Sequence, residues 1–376
     1  MNRSHKICTA LLFFVPVLLS AQQSASPTSK TAPPTEPENP VLMDRPAVHP
    51  AVAAAGRNRI QLDVVVTDAK GNPVSGLTQQ DFTLLDDKHP EPIASFHAYD
   101  AAAKKPDPSV QVILVLDMVN IGFNQVSYSR QQMMRFFQEN GGHLTQPVSI
   151  YLLTEDGVSL QPASSTDGNV EAEELNQIET RLRTINRSSG VYGAIERFEL
   201  SLRAIYSIVQ TQTTKPGRKI LIWVGPGWPM LSGLGFSDAS AREQRQNFDM
   251  IVALSTELRE NHTALYSISS GDFTPYSFLY QSFLKGVRSP QEEKNGDLDV
   301  KVLATQSGGL ALGPDNNMTA QIEKCVRDAS AFYTISFDPP RADRPDEYHD
   351  LKVQIDKPKF TARTNTGYYN QLPVQR

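Results

Sequence analysis

The chain has 376 residues, of which 39% are hydrophobic and 20% are charged, and its formal net charge is −5. The length allows two domains, and the composition is that of an ordinary globular protein. Because the chain is mildly acidic and has no runs of Lys or Arg, neither nucleic acid nor an anionic membrane surface is an expected partner.

The amino terminus has the pattern of a secretory signal peptide. Two basic residues, Arg3 and Lys6, precede an apolar run over residues 7–19. This run is too short for a confident membrane span, and it is interrupted by Pro16. We therefore predict that residues 1–21 are a cleaved signal peptide, that the protein is periplasmic or secreted, and that no integral membrane segment remains after cleavage.

Residues 22–57 are rich in Pro, Ala, Ser and Thr, a composition that predicts a disordered, extended linker. Ordered structure begins in the next segment, residues 58–105. Short β-favouring stretches at 60–66, 82–85 and 93–96 are separated by turn residues there. The segment predicts a small β unit that is too short to form a core of its own.

From residue 108 to residue 331, predicted strands alternate with predicted helices. The first strand, Val110–Asp117, is almost wholly apolar and ends in a carboxylate. The later strands are predicted at 148–153, 219–224, 264–268 and 310–312, and the helices at 128–139, 170–184, 191–210, 241–261, 298–306 and 318–331. Such alternation predicts an α/β fold with a doubly wound, mostly parallel sheet. Ligands of these sheets bind at the carboxyl ends of the strands, where Asp117 lies.

The chain ends in a second β segment, residues 332–370. Apolar and polar residues alternate at 333–337, 350–355 and 360–363, which is typical of half-buried antiparallel strands. We predict that this segment pairs with residues 58–105 in one small β-sandwich beside the α/β domain. With the signal peptide removed, Cys325 is the only cysteine, so core burial rather than a disulfide must stabilise the fold.

Short motifs frame the α/β alternation on both sides. They are Leu62–Val66, Gly76–Leu77, Asp81–Phe82, Ile93, Tyr333–Pro339 and Gly367–Tyr369. The order of elements resembles a von Willebrand factor A domain, and with these motifs the chain resembles the von Willebrand factor A-related family abundant in acidobacteria. The likeness spans about residues 58–370. It implies an extracytoplasmic binding protein with no established enzymatic role.

The resemblance also implies a place for a metal-ion-dependent adhesion site. Such sites use Asp-x-Ser-x-Ser after the first strand, a Thr before a helix and an Asp after the fourth strand, because Mg²⁺ prefers hard oxygen ligands. Asp117 and Ser189 fall at the first Asp and the Thr, but Val119, Ile121 and Pro226 replace the other ligands. We predict a degenerate site that does not bind Mg²⁺, with Asp117 and Ser189 as vestigial positions and with no cofactor.

Two other interpretations of these acids stay open. Asp117 by itself has the alternative of a cap or turn residue, a role that Asp often takes. A looser Ca²⁺ site could combine Asp117 with Glu155, Asp156 and Asp272, although Asp and Glu in loops are more often solvated. From the sequence alone we therefore expect no bound metal.

The loop at the lost metal aspartate, residues 225–236, is unusually apolar. Trp and Met are favoured at binding surfaces, which predicts a metal-independent contact for an unidentified protein or peptide. The predicted contact residues are Asp117, Asn120, Ser189, Trp228, Met230, Leu234 and Phe236. The alternative is that the apolar side chains fold back over the adjacent helix, because exposed apolar patches are uncommon.

No local motif of catalysis is present. The sequence contains no Gly-x-Ser-x-Gly, His-Glu-x-x-His or Cys-x-x-Cys motif and no phosphate-binding loop. We expect a non-enzymatic adhesion or assembly module. The alternatives are a structural scaffold in an envelope assembly and an extracytoplasmic hydrolase whose site is assembled only in space.

Overall fold

Strands and helices make up most of the described chain, which in this computed structural model covers residues 59–102, 110–160, 164–177, 190–228, 240–269 and 277–371. In chain order the strands are β1 (Ile60–Thr67), β2 (Phe82–Asp86), β3 (His89–Glu91), β4 (Ser95–Asp100), β5 (Val110–Asp117), β6 (His143–Thr154), β7 (Gly157–Leu160), β8 (Ser165–Asp167), β9 (Arg218–Val224), β10 (Thr263–Ile268), β11 (Ala311–Leu312), β12 (Ala331–Phe337), β13 (Glu347–Ile355), β14 (Thr361–Arg363) and β15 (Gly367–Asn370).

The α-helices lie mainly between the strands of the central part of the chain. They are α1 (Phe123–Gln138), α2 (Gly168–Gln177), α3 (Gly190–Gln212), α4 (Ala241–Glu260), α5 (Phe278–Phe283), α6 (Val300–Gln306) and α7 (Met318–Arg327). Short 3-10 turns cover Gln79–Asp81, Glu139–Gly142, Pro290–Glu292 and Asn295–Leu298. Across the described ranges, no helix is both long and apolar enough to cross a membrane.

A seven-stranded sheet forms the centre of the fold. Its order is β11-β10-β9-β5-β6-β7, with β8 also paired to β6. Neighbouring strands from β11 to β6 are parallel, while β7 and β8 run antiparallel to β6. If β8 is left out and the other six strands are numbered from β5, the order from β7 to β11 is 3-2-1-4-5-6, as in doubly wound folds. The predicted fold class, an α/β fold with a doubly wound, mostly parallel sheet, is confirmed.

The register of the parallel strands aligns their carboxyl ends. Asp117 on β5 lies beside Leu153 on β6. On the other side of β5, Leu116 pairs with Val224 on β9, which in turn pairs with Ile268 on β10. The loops that leave β5, β6, β9 and β10 therefore start at one common edge, called the carboxyl edge below.

Both faces of the central sheet are covered, which explains why its strands are apolar throughout. Successive residues of β5 enter different cores: Leu114 belongs to the core that includes Phe137 of α1, and Val115 to the core that includes Ile205 of α3. Helices α1, α2 and α7 contribute to the first core, and α3, α4 and α6 to the second. Each face of the sheet thus has its own hydrophobic core.

The two terminal β segments pair with each other, as predicted. Strand β1 lies between β12 and β14 in a sheet of order β14-β1-β12-β4, and β2 pairs with β13 in a second sheet of order β15-β13-β2-β3. Side chains of both sheets, including Leu62, Leu84 and Val353, form one buried cluster. Neither segment could bury these side chains alone.

Strand β12 is shared by the sandwich and the α/β layer. Tyr333 and Ile335 belong to the sandwich core, whereas Phe332 belongs to the core on the α1 face of the central sheet. Phe332 stacks on Tyr99 of β4 with ring centroids 4.6 Å apart, and the Arg218 guanidinium lies 4.9 Å from the Phe332 centroid. All described residues therefore belong to one compact unit.

Several predicted boundaries are corrected by the structure. The helix predicted over 318–331 ends at Arg327, because Ala331 pairs with Asp100 and already belongs to β12. Helix α1 begins at Phe123 rather than Tyr128, since Gly122 and Gln125 form its amino-terminal cap. The short strands β3, β7 and β8 were not expected from the sequence, because three or four residues carry too little periodicity.

The shared sandwich makes the amino-terminal strands depend on the last strands of the chain. Deleting residues 346–376 removes β13, β14 and β15, so we expect residues 60–100 to lose their resistance to limited proteolysis, as measured by mass spectrometry of the fragments. Removing only residues 372–376 is the matched control. If residues 60–100 stay resistant after the long deletion, the two segments do not depend on each other.

Candidate functional site

Asp117 lies at the carboxyl edge and is fully buried. Its Oδ1 accepts hydrogen bonds from the backbone N–H groups of Val119 and Asn120, both at 2.9 Å. Its Oδ2 accepts from Asn120 Nδ2 at 2.9 Å and from the Trp223 indole Nε1 at 3.1 Å. Each carboxylate oxygen thus has two N–H donors. Asp117 is a turn residue with a saturated carboxylate, the alternative that Asp commonly takes after a strand.

Burial raises the pKa of the Asp117 carboxyl above its ordinary value of 3.8, although the hydrogen bonds from Asn120, Val119 and Trp223 oppose this shift. A buried carboxylate is costly unless its oxygens are hydrogen-bonded. The four donors supply that stabilisation from the protein itself. No oxygen of Asp117 is left with a lone pair directed at an added ligand.

Asn120 extends this network to helix α3. Its Nδ2 also donates to Ser201 Oγ at 3.0 Å, and Ser201 Oγ donates to the Arg197 carbonyl at 2.7 Å. Sequence reasoning missed Ser201. The one sequence feature that could have indicated it is its position on α3, where a hydroxyl residue lies beside the apolar stripe that includes Phe198 and Leu202. The predicted site residues Asp117 and Asn120 thus contact each other, and their hydrogen-bond partners belong to the chain itself.

The positions that would carry serines in a metal site are occupied by core residues. Val119 is buried in the core on the α3 face, and Ile121 packs against the core on the opposite face. The chain after β9 also approaches Asp117 closely. Gly225 has a φ of 152°, and a Cβ added there would lie 2.6 Å from the Asp117 Cβ. A side chain at Gly225 is therefore incompatible with this turn.

Trp228 requires a correction to the predicted contact surface. Its indole is buried, and Nε1 donates to the Leu298 carbonyl at 3.0 Å. Its ring lies 5.8 Å from Trp223 and 6.2 Å from Phe198. The indole packs against these two aromatic rings, on β9 and α3. It is therefore not exposed to a binding partner. The contact role predicted for Trp228 is wrong, and the fold-back alternative describes this side chain.

The other predicted residues have different outcomes. Ser189, Met230, Leu234 and Phe236 lie outside the described residues, as does Asp272. Glu155 and Asp156 are exposed at the turn between β6 and β7. With Asp117 saturated, the looser Ca²⁺ arrangement has no support from the residues that the structure describes.

A different group of potential metal ligands lies in the sandwich. Ligand atoms of Asp86, Asp87 and His349 fall within 4.8 Å of one another, the one such His, Cys, Asp or Glu group of three or more among the described residues. His349 Nδ1 is 2.9 Å from Asp86 Oδ1 and 3.4 Å from Asp87 Oδ2. The Arg288 guanidinium pairs with Asp87 and Asp350. Because basic side chains already neutralise these carboxylates, the group forms a charge network rather than a metal site.

His349 links three strands of the sandwich. Its ring stacks on Tyr368 with centroids 5.0 Å apart, and the Tyr368 hydroxyl donates to Asp86 Oδ2 at 2.7 Å. The hydrogen bond with Asp86 raises the pKa of His349 above its ordinary value of 6.5, although burial lowers it. The protonated form of His349 therefore stabilises the pairing of β13 with β2 and β15.

Exposed apolar side chains occur next to the carboxyl edge, on helix α5. Phe278 is 90% exposed and Leu279 is 50% exposed. The inner face of α5 is anchored, because the Tyr280 hydroxyl donates to the Lys301 carbonyl at 3.2 Å and Phe283 is buried. Lys301 in turn donates from Nζ to the Pro226 carbonyl at 2.7 Å. Phe278 therefore lies on the outer side of a helix whose inner face is anchored.

None of the protein-family models and none of the curated proteins compared with the sequence matches it. Solved structures that the chain matches include human COPII-coat protein Sec24c, which is 9% identical with a TM-score of 0.36 over 77% of this chain and 49% of that chain. The SpRpn10 VWA domain is 9% identical, with a TM-score of 0.29 over 57% of this chain and 93% of that one. Manganese-loaded Plasmodium vivax TRAP protein is 8% identical, with a TM-score of 0.30 over 72% and 96%.

The chain spans about half the length of the Sec24c chain that it matches. Likenesses this distant assign no function.

The saturated carboxylate predicts a structural role for Asp117. Asp117→Ala leaves two backbone N–H groups and the Trp223 indole N–H without an acceptor, so we expect the free energy of unfolding to fall by about 3 kcal/mol or more. Ser201→Ala removes one outer hydrogen bond of the same network and should cost about 1 kcal/mol. Denaturant melts measure both effects. A melting temperature that rises with Mg²⁺ in the wild type, but not in Asp117→Ala, would contradict this role.

The His349 network predicts a stability that depends on pH. Because the pKa of His349 in the folded chain lies above 6.5, its stabilisation is fully present below pH 6.5 and is lost as the pH rises through the folded pKa. We expect His349→Gln to be less stable than the wild type near pH 6 and to differ less from it near pH 9. The exposed residue His89 supplies the matched control, His89→Gln. A difference between His349→Gln and wild type that does not change with pH would disprove the assignment.

Proposed function

We propose that the chain is an exported, non-enzymatic module that binds a protein or peptide at the carboxyl edge of its central sheet without Mg²⁺. The observation that carries the proposal is the 90% exposure of Phe278 on a helix whose opposite face is anchored. An exposed Phe beside an exposed Leu is unfavourable in water and becomes favourable when a partner covers it. The proposed partner therefore offers an apolar side chain or groove.

The cap and the buried inner face of helix α5 support a binding role for Phe278. Ser277 caps the helix by accepting a hydrogen bond from the Tyr280 backbone N–H at 3.2 Å. The Phe278 ring is exposed without the help of a bound cation or a flexible loop, because Tyr280 and Phe283 attach the inner face of the helix to the protein. A preorganised aromatic anchor loses little entropy on binding. We therefore assign to Phe278 the role of aromatic contact residue that the sequence suggested for Trp228.

The independence from Mg²⁺ rests on the Asp117 carboxylate. A metal-dependent adhesion site needs a carboxylate with free lone pairs and neighbouring hydroxyl ligands. Here Asp117 accepts four N–H donors, and the two residues at the serine positions have no side-chain oxygen. The apolar residues Met230, Leu234 and Phe236 stay in the proposed contact surface on the basis of the sequence.

Export and the lack of catalysis belong to the same proposal. The pattern of residues 1–21 supports export, and the absence of any catalytic sequence motif supports a non-enzymatic role. An exported protein with an outward apolar anchor meets partners in the periplasm or outside the cell. The partner is proposed as a protein or peptide.

Site-directed photo-crosslinking tests this function. A benzophenone amino acid at position 278 should crosslink a protein from a native envelope extract, and the yield should be unchanged by EDTA. Val170, which is 46% exposed on helix α2, is the matched control position. Crosslinking from the exposed residue His89 instead would indicate a scaffold that contacts its partner through the sandwich.

The energetic test uses the partner that is captured. Phe278→Ser should weaken binding by about 1–2 kcal/mol, or roughly 5–30-fold in Kd, because the ring is the proposed anchor. Val170→Ser should leave the Kd unchanged. Calorimetric titration measures both values. Equal binding by Phe278→Ser and wild type, or binding that EDTA abolishes, would overturn the proposal.

A further inference from the structure

One strand position of the β-sandwich is only half filled. Strand β15 pairs with β13 along Glu347–Asp350, and the rest of β13, Leu351–Ile355, pairs with β2 on its other side. In the described part of the chain, β15 and β2 are the neighbours of β13 in its sheet. Beside Leu351–Ile355 a strand position that continues the line of β15 is therefore empty. It is called the vacant strand position below.

Hydrogen bonds at the two ends of this half of β13 show which backbone groups face the vacant strand position. The Asp356 N–H donates to the Asp81 carbonyl at 3.0 Å, on the side of β2. The Leu351 N–H donates to the Thr366 carbonyl at 2.8 Å, on the side of β15. Successive residues of a strand direct their N–H and C=O groups to opposite edges. Even-numbered residues of this half therefore face β2, and odd-numbered residues face away from it.

Val353 and Ile355 consequently direct their N–H and C=O groups into the vacant strand position. Among the described residues no strand pairs with them on that side. A row of unpaired donors and acceptors at a sheet edge is a template for a further strand. An extended main chain offers complementary groups at the same spacing. The chemistry of this edge thus fits an extended peptide.

A groove with a volume of about 530 Å³ lies beside the same edge. Residues 351–356 line it on one side and residues 360–366 on the other, and Thr305 and Gly309 line it on the side of the α/β layer. Strand β14 belongs to the other sheet, where it pairs with β1. It therefore borders the groove without completing the sheet of β13. The volume is that of an ordinary ligand pocket.

A buried hydroxyl group of the groove also has no hydrogen bond. Thr364 lines the groove and is 8% exposed, and its Oγ1 is buried without a partner. A buried hydroxyl group costs free energy until a donor or an acceptor reaches it. The main chain of a bound peptide supplies both kinds of group. Thr364 thus indicates a polar ligand independently of the strand edge.

The charged side chains of the groove define which peptide fits. Lys352, Asp356 and Arg363 line it, and Arg363 is paired with Asp328. Lys352 and Asp356 are exposed, and their spacing of four strand residues corresponds to about 13 Å. Opposite charges on neighbouring strands attract each other. A complementary peptide has an acidic residue opposite Lys352 and a basic residue opposite Asp356.

We propose that this groove binds an extended peptide segment of another protein, which pairs antiparallel with Leu351–Ile355. The segment has a basic and an acidic residue four positions apart, with apolar residues next to them on the face that turns toward the sandwich core. Val353 is buried in that core, which explains the apolar requirement. The inference is independent of the proposed partner binding at Phe278.

Hydrogen exchange in the free full chain tests the vacant strand position first. In the nitrogen-15-labelled protein, NMR measures the exchange of single amides. We expect the amides of Lys352 and Gln354, which face β2, to exchange slowly, and those of Val353 and Ile355 to exchange faster. If all four exchange equally slowly at every protein concentration, the position is already filled and the proposal fails.

A capped peptide, Lys-Val-Thr-Val-Glu, is the probe for binding. In the antiparallel register its two Val residues lie opposite Val353 and Ile355. We expect saturable shifts and slower exchange of these two amides at peptide concentrations up to about 1 mM. Methylation of both Val nitrogens should weaken binding about tenfold or more, because the donors that face β13 are removed. Methylation of the Thr nitrogen, which faces away from β13, is the matched control and should have little effect.

Side-chain variants test the charge and the hydroxyl group. Lys352→Glu should weaken binding of the probe about two- to fivefold, and a probe with Lys in place of Glu should restore it. Lys359→Glu changes an exposed lysine outside the groove and is the matched control. Thr364→Val keeps the shape of the side chain and should weaken binding about two- to tenfold.

Three results would overturn the proposal. The first is a folded chain whose Val353 and Ile355 amides do not respond to the probe, or respond equally when its Val nitrogens are methylated. The second is dimerisation that slows the exchange of the same amides, which would assign the position to a second copy of the chain. The third is slow exchange in the free chain that becomes fast when residues 22–57 are deleted, which would assign the position to that segment.

Discussion

The carboxylate of Asp117 must find all its hydrogen bonds inside the protein, and the arrangement of the carboxyl edge follows from this constraint. Two backbone N–H groups fold the chain into a tight turn after β5, the Trp223 indole fixes β9, and Asn120 reaches Ser201 on α3. Gly225 is required where the chain passes over the same carboxylate. A buried charge that is satisfied in this way is rigid, because moving any one donor leaves the carboxylate short of a partner.

The aromatic side chains around the turn belong to the same network of contacts. Trp223 donates to Asp117 with its nitrogen and packs its ring against Trp228, which is tied to Leu298. The segment from Asn295 to Lys301 therefore contacts both the start of the loop after β9 and helix α5. Phe278 lies on the exposed side of that helix. The hydrogen bonds around Asp117 are thus connected, through these contacts, to the helix that carries the exposed Phe278 side chain.

The sandwich is joined to the α/β layer by strand β12, whose alternate residues face two cores. Phe332 packs with Tyr99 and Arg218, while Tyr333 and Ile335 face the sandwich. If such a strand shifted its register by one residue, the side chains that face the two cores would change places. This explains how segments more than 200 residues apart in sequence build one stable unit without a disulfide.

The sequence by itself determined the class of the fold. The apolar run of β5, the alternation of strands with helices, and the half-buried pattern of both termini reflect periodicities that any structure must preserve. It also determined that the side chains of Val119, Ile121 and Pro226 could not supply metal ligands, since none of them has a donor atom. Only the tertiary structure decided which way the apolar side chains face: Trp228 inward against Trp223, and Phe278 outward on α5. It also brought Ser201 to Asn120. Burial and pairing depend on neighbours that are distant in sequence, and local pattern carries no information about those neighbours.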